Sequence, residues 1–216
     1  MNPFAGKAFR KEQNRMDFST LQKNLEALGY EVHAFEDSRQ ANAHLAEELK
    51  GKTVGIGGST TAAQMGLYDA LSKESKVVTH SVPQEGKTAD ELKAEAAQAE
   101  VYISSVNGIA ETGEIINIDH SGNRVASTIY GHKKVILLVG ENKVALDYEA
   151  AYHRARNIAG PKNAQRLGRK TPCAIKADKC YDCKSPERIC RAVSVFLTKP
   201  ASCAYEIVLI HEDLGY

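Results

Sequence analysis

The sequence predicts an α/β fold, a Rossmann-like, mostly parallel sheet with helices on both faces. Short apolar runs of strand length, such as residues 53–56, 135–139 and 207–210, alternate with longer stretches of helical periodicity. Glycine- and serine-rich turns stand between them, and no internal repeat or low-complexity linker interrupts the alternation. One domain over residues 1–216 is the simplest reading, with a helical segment over about 1–50 and a cysteine-rich excursion over about 171–191.

The elements follow in order. Leu21, Leu25 and Leu28 share one helical face, preceded by Asp17, Ser19 and Thr20 as start signals and followed by Gly29 as a stop. Residues 30–35 read as a short strand, and Asp37 or Ser38 caps a second helix running through Leu49. A buried strand over 53–56 enters a glycine turn, and a helix is expected over 62–71. A strand over 77–80, a helix over 88–99 and a strand over 101–104 come next, then strands over 114–119 and 135–139. A helix over about 147–158 is expected to end at Gly160-Pro161, because proline disrupts a helix interior. Strands over 193–198 and 205–211 close the series.

Composition narrows the function. The 216 residues carry a formal net charge of +1 with 25% charged side chains, so no overall field draws the chain to nucleic acid or to a membrane surface. No apolar run approaches the length of a membrane span, and residues 1–15 contain no apolar stretch of the kind a secretory signal needs. A cytoplasmic protein is the expectation, and there thiols stay reduced.

Four of the five cysteines fall in one stretch, Cys173, Cys180, Cys183 and Cys190, spaced C-x6-C-x2-C-x6-C. A close pair flanked by two outer thiols can surround one tetrahedral zinc ion, and four thiolates can equally hold an iron–sulfur cluster. Reduced structural thiols, or a redox-active Cys180–Cys183 pair, are the other readings of this stretch.

In a parallel sheet, ligands bind beyond the carboxyl ends of the strands. That rule selects three loops: 55–61, 107–113 and the segment after Val139. In the first, Gly57 and Gly58 let the backbone approach a ligand, and Ser59 and Thr60 add hydroxyl donors for a phosphate or carboxylate. The plain alternative is a tight turn whose Ser59 or Thr60 merely caps the next helix. The run lacks both the Walker lysine and a full dinucleotide fingerprint. In the second loop, Asn107 and Gly108 precede Glu111, Thr112 and Gly113. Glu111 is a candidate nucleophile or acid–base group and Thr112 a candidate substrate contact, against the alternative of a solvated surface turn. His132 and the basic residues Arg154, Arg156 and Arg166 read as solvated.

Taken together, the chain resembles the LUD (lactate-utilisation) domain family. The likeness rests on Gly55-Ile56-Gly57-Gly58-Ser59-Thr60, on Gly108-Ile109-Ala110-Glu111-Thr112-Gly113, on residues 154–164, and on residues 171–190 with Leu214-Gly215-Tyr216. The resemblance implies a NagB/RpiA/CoA-transferase-like fold. It also implies a subunit or accessory protein in organic-acid redox metabolism, lactate to pyruvate, with a small anionic ligand, iron–sulfur partner subunits and a homodimer. A second expectation follows from the same fold: a stand-alone enzyme acting on a phosphorylated or CoA-linked substrate, in which Glu111 is similar to the catalytic glutamate of CoA transferases. A third is a binding or regulatory subunit without chemistry of its own.

Overall fold

The computed structural model describes residues 16–216, so the polar stretch 1–15 lies outside the described residues. Six strands form a parallel sheet: β1 (Glu31–Phe35), β2 (Thr53–Ile56), β3 (Lys76–Val78), β4 (Val101–Ser105), β7 (Lys134–Gly140) and β10 (Ala204–Ile210), ordered β1-β10-β7-β4-β2-β3. A second sheet, absent from the sequence expectation of a single sheet, has the order β8-β5-β6-β9. Its strands are β5 (Gly108–Ala110), β6 (Ile115–Asp119), β8 (Val144–Ala145) and β9 (Ala192–Phe196). The runs expected over 114–119 and 193–198 pair antiparallel with each other here. Strand propensity marks a strand but not its partner.

The central strands are apolar throughout because both faces are covered. Along β7, Val135, Leu137 and Val139 face one layer with Leu21, Leu25, Leu92 and Tyr205, whereas Ile136 and Leu138 face the other with Leu45, Leu67 and Leu71. The first layer is built by α1 (Ser19–Ala27) and α5 (Ala89–Ala96). The second is built by α2 (Ser38–Glu48), α3 (Thr60–Gln64) and α4 (Leu67–Leu71). Caps start these helices where expected. Asp37 accepts from the amides of Arg39 and Gln40, and Thr88 with Glu91 forms a reciprocal capping box.

Two helix boundaries differ from the sequence expectation. The helix expected over 62–71 is divided between α3 and α4, because Gly66 adopts a left-handed conformation at φ 65°. The helix expected to stop at Gly160-Pro161 runs on. After α7 (Tyr148–Arg154), a π-helical segment (Ala155–Ala159) leads directly into α8 (Gly160–Arg166), with Pro161 in its first turn. The π-helical segment just before it already departs from the regular i→i−4 ladder, and that is where the proline's missing N–H is accommodated. The remaining α-helices among the described residues are α6 (Asn123–Ile129) and α9 (Pro172–Lys176). No helix among the described residues is long and apolar enough to cross a membrane.

Candidate functional site

The carboxyl ends of the parallel strands open on a cavity of about 220 Å³. Ser59 and Thr61 reach it from the turn after β2, His80 from beyond β3, Ser105 from the end of β4 and Lys143 from the turn after β7. Asp119 and Arg124 enter from β6 and α6, and Asn163 and Arg166 from α8. The π-helical segment reaches the wall through Ala159. Such segments recur at functional sites because they displace the backbone locally.

Lys143 is 2% exposed, and its Nζ donates to Thr61 Oγ1 at 2.8 Å, Ser105 Oγ at 3.3 Å and the Val106 carbonyl at 3.0 Å. All three acceptors are uncharged. Burial, reinforced by the nearby Arg154 and Arg124 charges, pulls the Lys143 ammonium down to about 7. Arg124 donates to the carbonyls of Ser105 and Ile118 and to the side chains of Asn117 and Asn107, over 2.7–3.1 Å. Its guanidinium therefore braces β4 and β6 and leaves its charge at the cavity. Burial also lowers the His80 imidazole below its ordinary range, and the Lys93 charge adds to this. Lys93, Arg124, Lys143 and Arg166 line the cavity against one carboxylate, Asp119. Asp119 is itself committed to the amides of His120 and Val125. Such a lining favours an anion.

Ser59 caps α3, its Oγ accepting from the Ala62 amide at 3.1 Å and donating to Ser105 Oγ at 3.1 Å. Gly57 lies behind this turn, where a Cβ would stand 2.6 Å from the Tyr102 hydroxyl and 3.3 Å from Arg124 Cγ, so only glycine fits. Leu214-Gly215-Tyr216 folds over the same residues. The Leu214 carbonyl accepts from Thr61 Oγ1 at 3.3 Å. At Gly215, φ is 70° and a Cβ would stand 2.6 Å from Thr61 Oγ1.

Of the residues singled out in sequence, Gly58, Ser59, Thr60 and Asn107 line this cavity. Gly57 supports it from behind. Gly108, Glu111, Thr112 and Gly113 do not reach it, so of the second loop only Asn107 stands at this cavity. Gly108 begins β5, and residues 111–113 form the hairpin tip between β5 and β6. That tip packs on α1, where Asn24 Nδ2 donates to the Glu111 carbonyl at 2.7 Å and Gly113 approaches Leu28. Thr112 is exposed and bonds to Glu114.

Lys143 and His80 carry no local mark in the sequence, and Asp119 and Arg124 flank a Ser121-Gly122-Asn123 turn that by itself reads as a hairpin or strand-to-helix turn. The strand-end rule had selected the segment after Val139, where Lys143 lies, but nothing local marks that lysine as buried. His132 and Arg154, expected in solvent, are buried. His132 Nδ1 bonds to the Ala99 carbonyl at 2.7 Å, with its ring stacked on Tyr102. Arg154 donates to the carbonyls of Asn142, Asn107 and Tyr216, and burial pulls its guanidinium down to about 10.

The four cysteines line a second, smaller cavity together, of about 20 Å³. Ile118, Gly160 and Ile189 form a wall common to both cavities. Three N–H donors point at the sulfurs: Arg156 and the Asp182 amide at Cys180 Sγ, both 3.4 Å, and Arg188 at Cys190 Sγ, 3.3 Å. Donors of this kind orient and stabilise the thiolates of bound centres. Ala177 and Asp182 hold φ of 54° and 45°, a left-handed backbone that costs non-glycine residues energy and recurs at ligand clamps. No three of the cysteine sulfurs lie within 4.8 Å of one another. A single zinc ion would need them about 3.8 Å apart. The residues present, four thiols with N–H donors at two of them, are chemically those of a thiolate-bound centre.

The family model "LUD domain" matches residues 19–208. Among solved structures, a DUF162 family protein from Deinococcus radiodurans aligns with TM-score 0.52 at 12% identity, over 88% of this chain and 94% of that one. That likeness shows the fold. The eIF2B beta subunit from Chaetomium thermophilum (TM-score 0.36, 13% identity, 52% of this chain and 44% of that one) and ribose 5-phosphate isomerase from Plasmodium falciparum (0.32, 17%, 50% and 52%) align too partially to carry an argument. No curated protein matches the sequence. The match over nearly the whole chain, together with the shared fold, means that the chain belongs to the LUD domain family.

Proposed function

We propose that this protein binds a small carboxylate- or phosphate-bearing organic anion in the strand-end cavity. We further propose that it serves organic-acid redox metabolism of the lactate-to-pyruvate type, as a subunit or accessory protein. The observation that carries the reading is Lys143, a buried amine with only uncharged acceptors, in a cavity lined by three further cations and one committed carboxylate. An anion entering there supplies the missing counter-charge and holds the lysine protonated. Isothermal titration with pyruvate, lactate and inorganic phosphate tests this. At least one should bind, and Lys143→Met should weaken it by tenfold or more; no heat from any of the three sinks the reading.

The cysteine quartet adds the redox part. Cys173, Cys180, Cys183 and Cys190 would hold an iron–sulfur cluster or zinc, with Arg156, Arg188 and the Asp182 amide bonded to the thiolates. A bound cluster would supply one-electron transfer beside the anion cavity, across the shared wall of Ile118, Gly160 and Ile189. Protein purified without oxygen should contain iron and acid-labile sulfide, both lost in Cys183→Ser. Zinc alone would make the quartet a structural clip and remove the redox role, and no metal at all would remove the centre.

A further inference from the structure

We propose that Lys143, Ser105 and Ser59 form a proton relay that makes the Ser59 hydroxyl a nucleophile toward an activated acyl group, an ester or thioester of a small acid. This goes beyond anion binding but rests on the same cavity being the ligand site.

The three side chains come from three strand ends and meet only in the fold. Ser59 Oγ stands 3.1 Å from Ser105 Oγ, and Ser105 Oγ stands 3.3 Å from Lys143 Nζ. The direction of each hydrogen bond follows from the surrounding partners. Thr61 Oγ1 donates to the Leu214 carbonyl and so accepts from Lys143, while the Val106 carbonyl can only accept. These two bonds use both protons of a neutral amine and aim its lone pair at Ser105. Ser105 then donates its proton to Lys143 and accepts one from Ser59. Ser59 Oγ in turn accepts from the Ala62 amide, which orients the hydroxyl. Every polar atom of the chain Ser59–Ser105–Lys143 is thus satisfied with the lysine acting as base. No carboxylate bonds to Lys143, and Arg154 and Arg124 are the charges that oppose its protonation. Ser59 is half-buried at the cavity, whereas Ser105 and Lys143 are buried at its inner wall, as the base behind a nucleophile must be.

The step balances. Ser59 Oγ bonds to the acyl carbon as its proton passes to Ser105 Oγ and the Ser105 proton passes to Lys143 Nζ. The carbon–sulfur or carbon–oxygen bond to the leaving group breaks, and the departing thiolate or alkoxide takes the proton from Lys143. Water then attacks the acyl carbon of the Ser59 ester, its proton passing to Ser105 Oγ as the Ser105 proton passes to Lys143 Nζ; the acyl–Oγ bond breaks and Ser59 Oγ recovers a proton from Lys143 back through Ser105. The sum is acyl ester or thioester plus water to acid plus alcohol or thiol, with no change of oxidation state. The reacting ester or thioester is uncharged where a free carboxylate is not, so it leaves Lys143 neutral, and Lys93 and Arg166 at the cavity wall meet negative charge carried elsewhere on the acyl or leaving group.

The test is covalent labelling of the whole protein with a fluorophosphonate, followed by intact mass and peptide mapping, with p-nitrophenyl acetate turnover alongside. One adduct on Ser59 is expected, absent in Ser59→Ala and formed about 10²-fold or more slowly in Ser105→Ala and Lys143→Met. Should Lys143→Met fail to fold, the wild-type labelling rate against pH serves instead, and it should rise to a plateau as Lys143 loses its proton. Labelling elsewhere, or Ser105→Ala labelling as fast as wild type, overturns the relay. If the wild type binds pyruvate or phosphate but takes no label, the relay fails and the anion site stands; if it does neither, both fail.

Discussion

Lys134→Met is expected to lower the unfolding free energy by about 3–5 kcal/mol, the cost of stranding a buried charge. Lys134 stands where β1, β7 and β10 begin, opposite the ligand cavity. Its Nζ lies 2.7 Å from Glu206 Oε2, 2.5 Å from Glu48 Oε1 and 3.0 Å from Glu31 Oε2. Glu206 has no exposed side-chain surface and shares its other oxygen with His44 Nε2 at 3.0 Å. Burial raises the Glu206 carboxyl above the ordinary range, and Lys134 opposes that shift. Without the lysine, Glu206 rises further. A carboxyl raised in the folded state takes up a proton on folding as pH falls, so the variant's deficit should shrink between pH 7 and 5. Urea titration is the measurement, since guanidinium salt would screen the charges. A deficit under about 1 kcal/mol at pH 7 would place this cluster among ordinary surface ion pairs. Adding Glu206→Gln to Lys134→Met should recover part of the loss.

The stability of the ligand-free protein should rise with pH between 7 and 10, by up to about 1.4 kcal/mol per pH unit relative to Lys143→Met. Lys143 titrates near 7 in the fold against an ordinary 10.5. Between those values the unfolded chain carries the proton and the folded chain does not, so raising pH favours folding. The penalty is complete below 7 and gone above 10.5, about 5 kcal/mol across the window. Thermal or urea unfolding of both proteins at pH 7, 8, 9 and 10 reads the difference directly. Saturating anion should flatten the slope, because it pulls the lysine back toward its protonated form. Parallel pH curves for the two proteins without ligand would show that the ammonium is not destabilised by its burial.

The sequence by itself determined the α/β class, most strand and helix positions, the glycine turn after β2 and the clustering of four thiols. Each is a local signal: apolar runs of strand length, a cap such as Asp37, small residues where backbone must approach closely, and a short cysteine spacing. The strand-end rule also pointed to the turns that carry Ser59, Asn107 and Lys143. Only the tertiary structure decided which of those turns share a cavity. Residues 108–110 pair into a second sheet and the hairpin tip after them carries Glu111 away onto α1, an outcome that depends on the partners β6 and β8 rather than on the run itself. Burial was equally invisible from the chain. Lys143, Arg154 and His132 look like any polar residues between strands, and they become a buried base, a brace and a core imidazole because distant carbonyls satisfy them. A buried polar group is stable only where such partners converge, and that convergence is a property of the fold, not of any segment.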